Sequence, residues 1–260
     1  MLKLFPTRLP KYHWKREPVD TRDHIYNPEA LAAVPPTLPA SVDLRSYCSP
    51  IENQGALGSC TGNAIAGIIE YLDRKNNKPL DVSRLFIYYQ ERLIEGTVNY
   101  DSGAYIRDGI KACNQYGAPL ESLWPYLITR YTTRPSAAAY ADALKRKAGA
   151  YQKITNRVTG IKTALSQGYP SVVGFNVYSS FEGTVNTTTG MMPYPSPNEQ
   201  LLGGHAVAVV GYNDTTQRFI CRNSWGTNWG DRGYFYMPYQ VLANANMSDD
   251  FWIITSVSNP

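Results

Sequence analysis

The sequence predicts an α+β fold of two packed lobes with a cleft between them. Three observations carry this expectation. Apolar residues in the first half recur at helical spacing. Those in the second half form short β-branched and aromatic runs bounded by turn residues. The two patterns are segregated along the chain rather than alternating. With 260 residues, 43% of them hydrophobic and 18% charged, the chain can bury a substantial core. The net charge of +4 is spread along the chain. It therefore argues for neither nucleic acid nor an anionic membrane surface as partner. No stretch approaches the roughly 18 apolar residues of a membrane span.

The elements follow in order. Residues 1–38 carry Pro6, Pro10, Pro18, Pro28, Pro35 and Pro36 and no apolar period. Proline lacks a backbone donor and disfavours helix at the residue before it, so this segment reads as an extended strap. At most a short helix fits near residues 28–33. Lys3, Pro6 and Arg8 interrupt the start before an apolar core can form, so no secretory signal is expected and the cytoplasm is the default compartment. The compact part begins near Pro39. Ala64, Ile65, Ile68, Ile69 and Leu72 share one face of a helix running from Cys60 to about Arg74. Further helices are expected over 83–95, 104–115 and 137–148, and strands over 171–177, 206–212, 218–222 and 233–237. The resulting division is a strap (1–38), a mainly helical lobe (39–130) and a mainly β lobe (131–260).

Four cysteines (Cys48, Cys60, Cys113 and Cys221) are too sparse for a disulfide framework. None forms a Cys-x-x-Cys pair, and the three histidines are scattered, so no metal site is expected. Cys60 stands apart. It follows the glycine-rich turn Gln54-Gly55-Ala56-Leu57-Gly58-Ser59 at the mouth of a helix. Unpaired N–H groups and the positive end of the dipole stabilise a thiolate there, and the expected thiol pKa is lowered. His205 enters an apolar strand after Gly203-Gly204. Asn223-Ser224-Trp225-Gly226, followed by Trp229-Gly230, sets two indoles in one glycine-rich loop. His13 and His24 read as exposed polar residues of the strap.

Together these motifs resemble those of papain-like cysteine peptidases, of a bacterial type with a short N-terminal segment. Cys60 and His205 are 145 residues apart, and the likeness runs from about residue 39 to the C-terminus. The resemblance implies a papain-like fold, with a helical lobe and a β-barrel-like lobe flanking the active-site cleft. It implies that Cys60 is the nucleophile, that His205 is its acid and base, and that Asn223 orients the imidazole under Trp225. Gln54 and the Cys60 N–H would form the oxyanion hole. Ser102, Gly103 and Gly204 would meet the substrate backbone, and Trp229 would line the leaving-group side. Alignment on the pair Phe251-Trp252 places Asp249, to within about one residue, at the floor of the main specificity pocket. There a carboxylate would favour Arg or Lys two residues before the cleaved bond.

The pattern is not followed throughout. Leu57 stands where the family has a cysteine, Thr61 stands where it has a tryptophan, and its usual disulfide is therefore missing. Whether Cys48 bridges Cys113 stays open, with free thiols expected. The implied activity is endopeptidase hydrolysis of peptides or proteins by a monomer, without metal or organic cofactor. An exopeptidase or amide hydrolase, or a non-catalytic binding protein on the same fold, are the alternatives. The strap either packs against one lobe or covers the cleft as a short pro-segment.

Overall fold

The computed structural model describes residues 12–30 and 37–258. The helical layer is built from α1 (Cys60–Lys75), α2 (Arg84–Ile94), α3 (Ile106–Gln115) and α4 (Ala137–Ala143). The β layer contains β1 (Ser41–Asp43), β2 (Tyr151–Lys153), β3 (Ser171–Tyr178), β4 (Leu201–Asn213), β5 (Arg218–Arg222), β6 (Tyr234–Pro238) and β7 (Ser248–Ile254). Three further helices, α5 (Arg157–Ser166), α6 (Thr184–Thr189) and α7 (Tyr239–Ala243), accompany these strands. The antiparallel sheet runs β2-β7-β3-β4-β5-β6, with β1 added beside β4, and it stays open rather than closing into a barrel.

Helix α1 is buried on all sides from Cys60 to Asp73 and lies between the layers. Its apolar stripe joins Val172, Ala206, Ala208 and Trp252 in one core cluster, so the sheet and the helices share α1 as a common wall. The boundary expected at residue 130 does not divide the layers. Helix α4 packs in the helical layer, with Tyr140 edge-on to Phe86, while β1 pairs with β4 from the N-terminal side. Helix α4 also ends at Ala143 rather than 148, because Lys145 and Arg146 turn back onto Asp142 and Ala143. The expected helix near 28–33 begins as a 3-10 turn at Pro28–Ala30; residues 31–33 lie outside the described residues. All four cysteines are free thiols.

Segment 49–54 is fixed to β5 by one guanidinium. Arg222 donates to the carbonyls of Ser49 and Pro50, each at 2.6 Å, and to the Ser49 hydroxyl at 3.0 Å. Ser49 in turn donates to Glu70, whose other oxygen accepts the Val82 N–H at 3.0 Å. Gln54 therefore arrives in register with the loop after β5, its N–H on the Ser224 carbonyl at 2.8 Å. Arg222→Met should keep the packing volume but leave two carbonyls unpaired. We expect a loss of about 2–4 kcal/mol, measured as a lower denaturant midpoint at unchanged slope. A loss below about 0.5 kcal/mol would show that the clamp does not fix this segment.

Candidate active site

Cys60 opens α1 after Ser59, whose side chain makes no cap. The turn before it is held from two sides: the Gly58 N–H bonds to the Asp101 carboxylate, and Ser59 Oγ lies 2.5 Å from the Tyr126 hydroxyl. Thr61, in the place of the family's tryptophan, donates at 2.6 Å to the fully buried Glu91. Burial holds that carboxyl well above the usual range. Leu57, in the place of the cysteine, fills the core of the helical layer instead.

His205 sits on β4 and Asn223 just beyond β5. His205 Nε2 lies 2.9 Å from Asn223 Oδ1, which also accepts the Ser224 N–H at 2.8 Å. An amide oxygen only accepts, so Nε2 carries the hydrogen and Nδ1 keeps its lone pair. Nδ1 has no hydrogen-bond partner among the described residues. Trp225 stacks on the imidazole at 4.9 Å, and Trp229 meets Trp225 edge-on at 5.1 Å. Gln54 is fully buried. Its Oε1 accepts from Ser224 Oγ at 2.6 Å, and its Nε2 donates one hydrogen to the Leu57 carbonyl at 2.9 Å, leaving the second hydrogen available.

The strap runs over this arrangement. Trp14 N–H donates to the Gly204 carbonyl at 2.9 Å and Lys15 N–H to the Ala104 carbonyl at 3.4 Å, with parallel bridges to both sides of the cleft. The Tyr12 ring is edge-on to His205 and Trp225, and its hydroxyl bonds Glu182. Trp14 fills a pocket beside Gly174, where a Cβ would come within 2.0 Å of the indole. Beneath the strap, Cys60 and His205 are both completely buried.

This burial reverses the expected shift of the thiol. Loss of water pushes Cys60 up to about 11, although backbone hydrogen bonds from Ala206, His13 and Thr61 pull the other way. It also lowers His205 to about 4 against the Asn223 bond. With the strap in place, both shifts favour the neutral thiol and the neutral imidazole. The expectation for His13 is likewise corrected: it is half-buried, with its ring against Gly58 and 3.9 Å from Asp101.

Two substrate-side expectations move by one residue. Gly103 uses its N–H on the Tyr88 hydroxyl, and its carbonyl accepts from Ser102 Oγ, so it is Ala104 that pairs with the strap backbone. Gly204 pairs with the strap through its carbonyl. Asp249 is half-exposed and faces Arg16 and Arg157, at 3.4 and 3.7 Å. Asp250 is the buried carboxylate, and it lies against the Trp14 indole of the strap. Its Oδ2 accepts from the Trp14 indole at 3.1 Å and from the Glu17 N–H at 2.9 Å. The cause is a β-bulge. Val172 faces Trp252 but Gly174 faces Asp249, so β7 carries one extra residue, and Asp250 takes φ +57°.

The sequence profile of papain family cysteine proteases matches residues 38–254. The chain belongs to this family. Within it, the chain is 39% identical to xylellain, a cysteine protease from Xylella fastidiosa, with a TM-score of 0.86 over 97% of each chain. It is 44% identical over 218 residues to an uncharacterized peptidase C1-like protein of Acanthamoeba polyphaga mimivirus, covering 80% of this chain and 70% of that one. Cathepsin K of Gallus gallus is 28% identical over 235 residues, covering 85% of this chain but 64% of the relative. As a papain-family cysteine protease, the chain acts on protein or peptide substrates.

In this papain-family chain the strap has a second anchor that the sequence did not reveal. The Glu17 carboxylate accepts the Arg107 N–H at 2.5 Å, in the first turn of α3, and the Trp252 indole at 3.2 Å. It also faces Lys153 at 3.3 Å. Arg107 reaches Asp23 of the strap through two bonds, at 2.9 and 2.6 Å. Burial, with the Asp250 carboxylate beside it, raises Glu17 from 4.5 to about 7. A carboxyl whose value is higher when the strap is closed holds its proton more tightly in that state. Closure is therefore undiminished below about pH 4.5 and weakens as pH rises through about 7. Amide-exchange protection of Trp14 and Lys15, corrected for intrinsic rates, should fall between about pH 5 and 7.5. Glu17→Gln should flatten that fall, and equal slopes in the two proteins would contradict the assignment.

Proposed function

We propose that this cysteine protease is an endopeptidase held closed by its own N-terminal strap. The observation that carries the reading is that Cys60, at the head of α1, takes a backbone hydrogen bond from Ala206, next in sequence to His205 of the His205–Asn223 pair, and that all of this lies buried beneath residues 12–14. Once the strap leaves, water and substrate replace it, the Cys60 thiol falls from its raised value and the imidazole rises. Proton transfer to His205 Nδ1 then yields a thiolate beside an imidazolium.

The thiolate attacks a peptide carbonyl. The Cys60 N–H and the unused hydrogen of Gln54 Nε2 stabilise the oxyanion, each donor contributing about 3–4 kcal/mol to the transition state. The imidazolium protonates the departing amine and, as neutral imidazole again, activates the water that releases the acyl group. Asn223 keeps Nε2 protonated throughout, and Trp225 shields that bond. Ala104 and Gly204 take the substrate backbone where the strap now lies, while Ser102 and Gly103 shape the turn behind them. Trp229 lines the leaving-group side. Asp250, rather than Asp249, meets the side chain two residues before the cleaved bond. Cleavage of internal bonds is favoured because the strap passes Cys60 on both sides, with Tyr12 toward Trp225 and Trp14 toward Asp250.

Cys60→Ala should abolish hydrolysis of a denatured protein with the far-ultraviolet spectrum unchanged, and His205→Ala should lower kcat by at least about a thousandfold. Near-wild-type turnover by either variant would refute the assignment. Removing residues 1–38, or replacing Trp14 by Ala, should raise kcat/KM on short peptides several-fold. A value unchanged in both proteins would leave the strap a packing element only.

A further inference from the structure

Lys153, at the end of β2, is the nearest cation to Asp250, with Nζ 3.6 Å from Oδ1. That oxygen is buried and has no hydrogen-bond partner among the described residues. In the closed protein the ammonium is shared with two strap carboxylates, Glu17 at 3.3 Å and Asp23 at 3.8 Å. The Lys153 backbone is tied to the strap as well, with its N–H on the His24 carbonyl and its own carbonyl accepting from Tyr26.

Removing the strap changes this balance. Glu17 and Asp23 leave, and Asp250 loses the Trp14 indole and the Glu17 N–H together. The groups left facing one another are the Asp250 carboxylate, the Lys153 ammonium and, one step further, the Arg107 guanidinium, which loses the same two carboxylates. A buried carboxylate beside a cation that has just lost its other partners pairs with it.

We propose that Lys153 sets the charge of the specificity pocket, by pairing with Asp250 once the strap has gone. The pocket floor is then an ion pair rather than a free carboxylate. A basic side chain entering it must compete with an ammonium already in place. A neutral side chain with a polar hydrogen at its far end, as the Trp14 indole has, keeps one carboxylate oxygen as acceptor without displacing the lysine. The open enzyme therefore prefers Trp, with Leu next, over Arg two residues before the cleaved bond, in spite of the aspartate. This inference rests on the protease reading of Cys60 and His205.

The test uses the full-length chain and peptides that differ only at that position: Trp, Leu or Arg. Strap opening multiplies kcat/KM for all three by the same factor, so their ratios report the pocket alone. Wild type should favour Trp and Leu over Arg by about tenfold or more. Lys153→Met should raise the Arg-to-Leu ratio by about tenfold, and Lys153→Arg should leave it near wild type. Lys153→Met combined with Asp250→Asn should return the ratio toward wild type. An Arg-to-Leu ratio unmoved by Lys153→Met in an active enzyme, or a wild type that already prefers Arg, overturns the proposal alone. If Lys153→Met does not fold, a Lys153→Arg/Asp250→Asn protein should lower the ratio below wild type, and a raised or unmoved ratio overturns it. Absence of any Cys60-dependent cleavage by wild type overturns the protease reading together with this one.

Discussion

The burial of the Cys60 sulfur and the His205 ring beneath residues 12–14 governs the rest of the cleft. Ordering the strap costs about 1–2 kcal/mol per residue in backbone entropy. The buried Trp14 indole offsets about 4–6 kcal/mol of that, and the bonds of Glu17 and Asp250 supply more. The same contacts exclude water from the thiol and the imidazole, and this exclusion favours the neutral form of both. The helix end that favours a thiolate is present, but in a site without water its effect is outweighed. On the proposed reading, reactivity is a property of the open state, and the strap sets how much of that state exists.

Asp250 joins the two functions. It is the atom group on which the strap's indole and backbone converge, and it is also the floor of the pocket that the strap vacates. Lys153 and Arg107 complete a cluster whose negative partners belong mostly to the strap. Opening the cleft therefore alters the charge of the pocket as well as its accessibility. On the proposed reading, the stability of the closed state and the choice of substrate draw on the same side chains.

The residues of the candidate site were legible in the sequence because each carries a local signature. Cys60 follows a glycine turn into a helix, His205 follows two glycines into a strand, and Asn223 opens a Trp-Gly loop. The two lobes were legible from the change of period, although the sheet proved open and β1 and α4 cross the expected boundary. The buried carboxylate is Asp250 rather than Asp249, within the one-residue margin of the alignment on Phe251-Trp252; a bulge with a left-handed residue shifts β7 at this point, and an alignment cannot see it. Helices α5 and α6 were missed for a different reason. Their Thr-, Val- and Gly-containing sequences have weak intrinsic preference. The first is held by Ile161, Ala164 and Leu165 against the sheet, the second by threonine hydroxyls on preceding carbonyls and by Gly190 at its end. The course of the strap was legible only as two alternatives, because an extended proline-rich segment has no period and its partners are remote in sequence.

The most direct measurement is the rate at which iodoacetamide alkylates Cys60, mapped by mass spectrometry, in the intact chain and in Trp14→Ala at the same pH. Burial under the strap predicts slow modification of the intact protein and at least about tenfold faster modification of the variant, with Cys113 and Cys221 unmodified in both. Equal rates at Cys60 would show that the strap does not control the nucleophile.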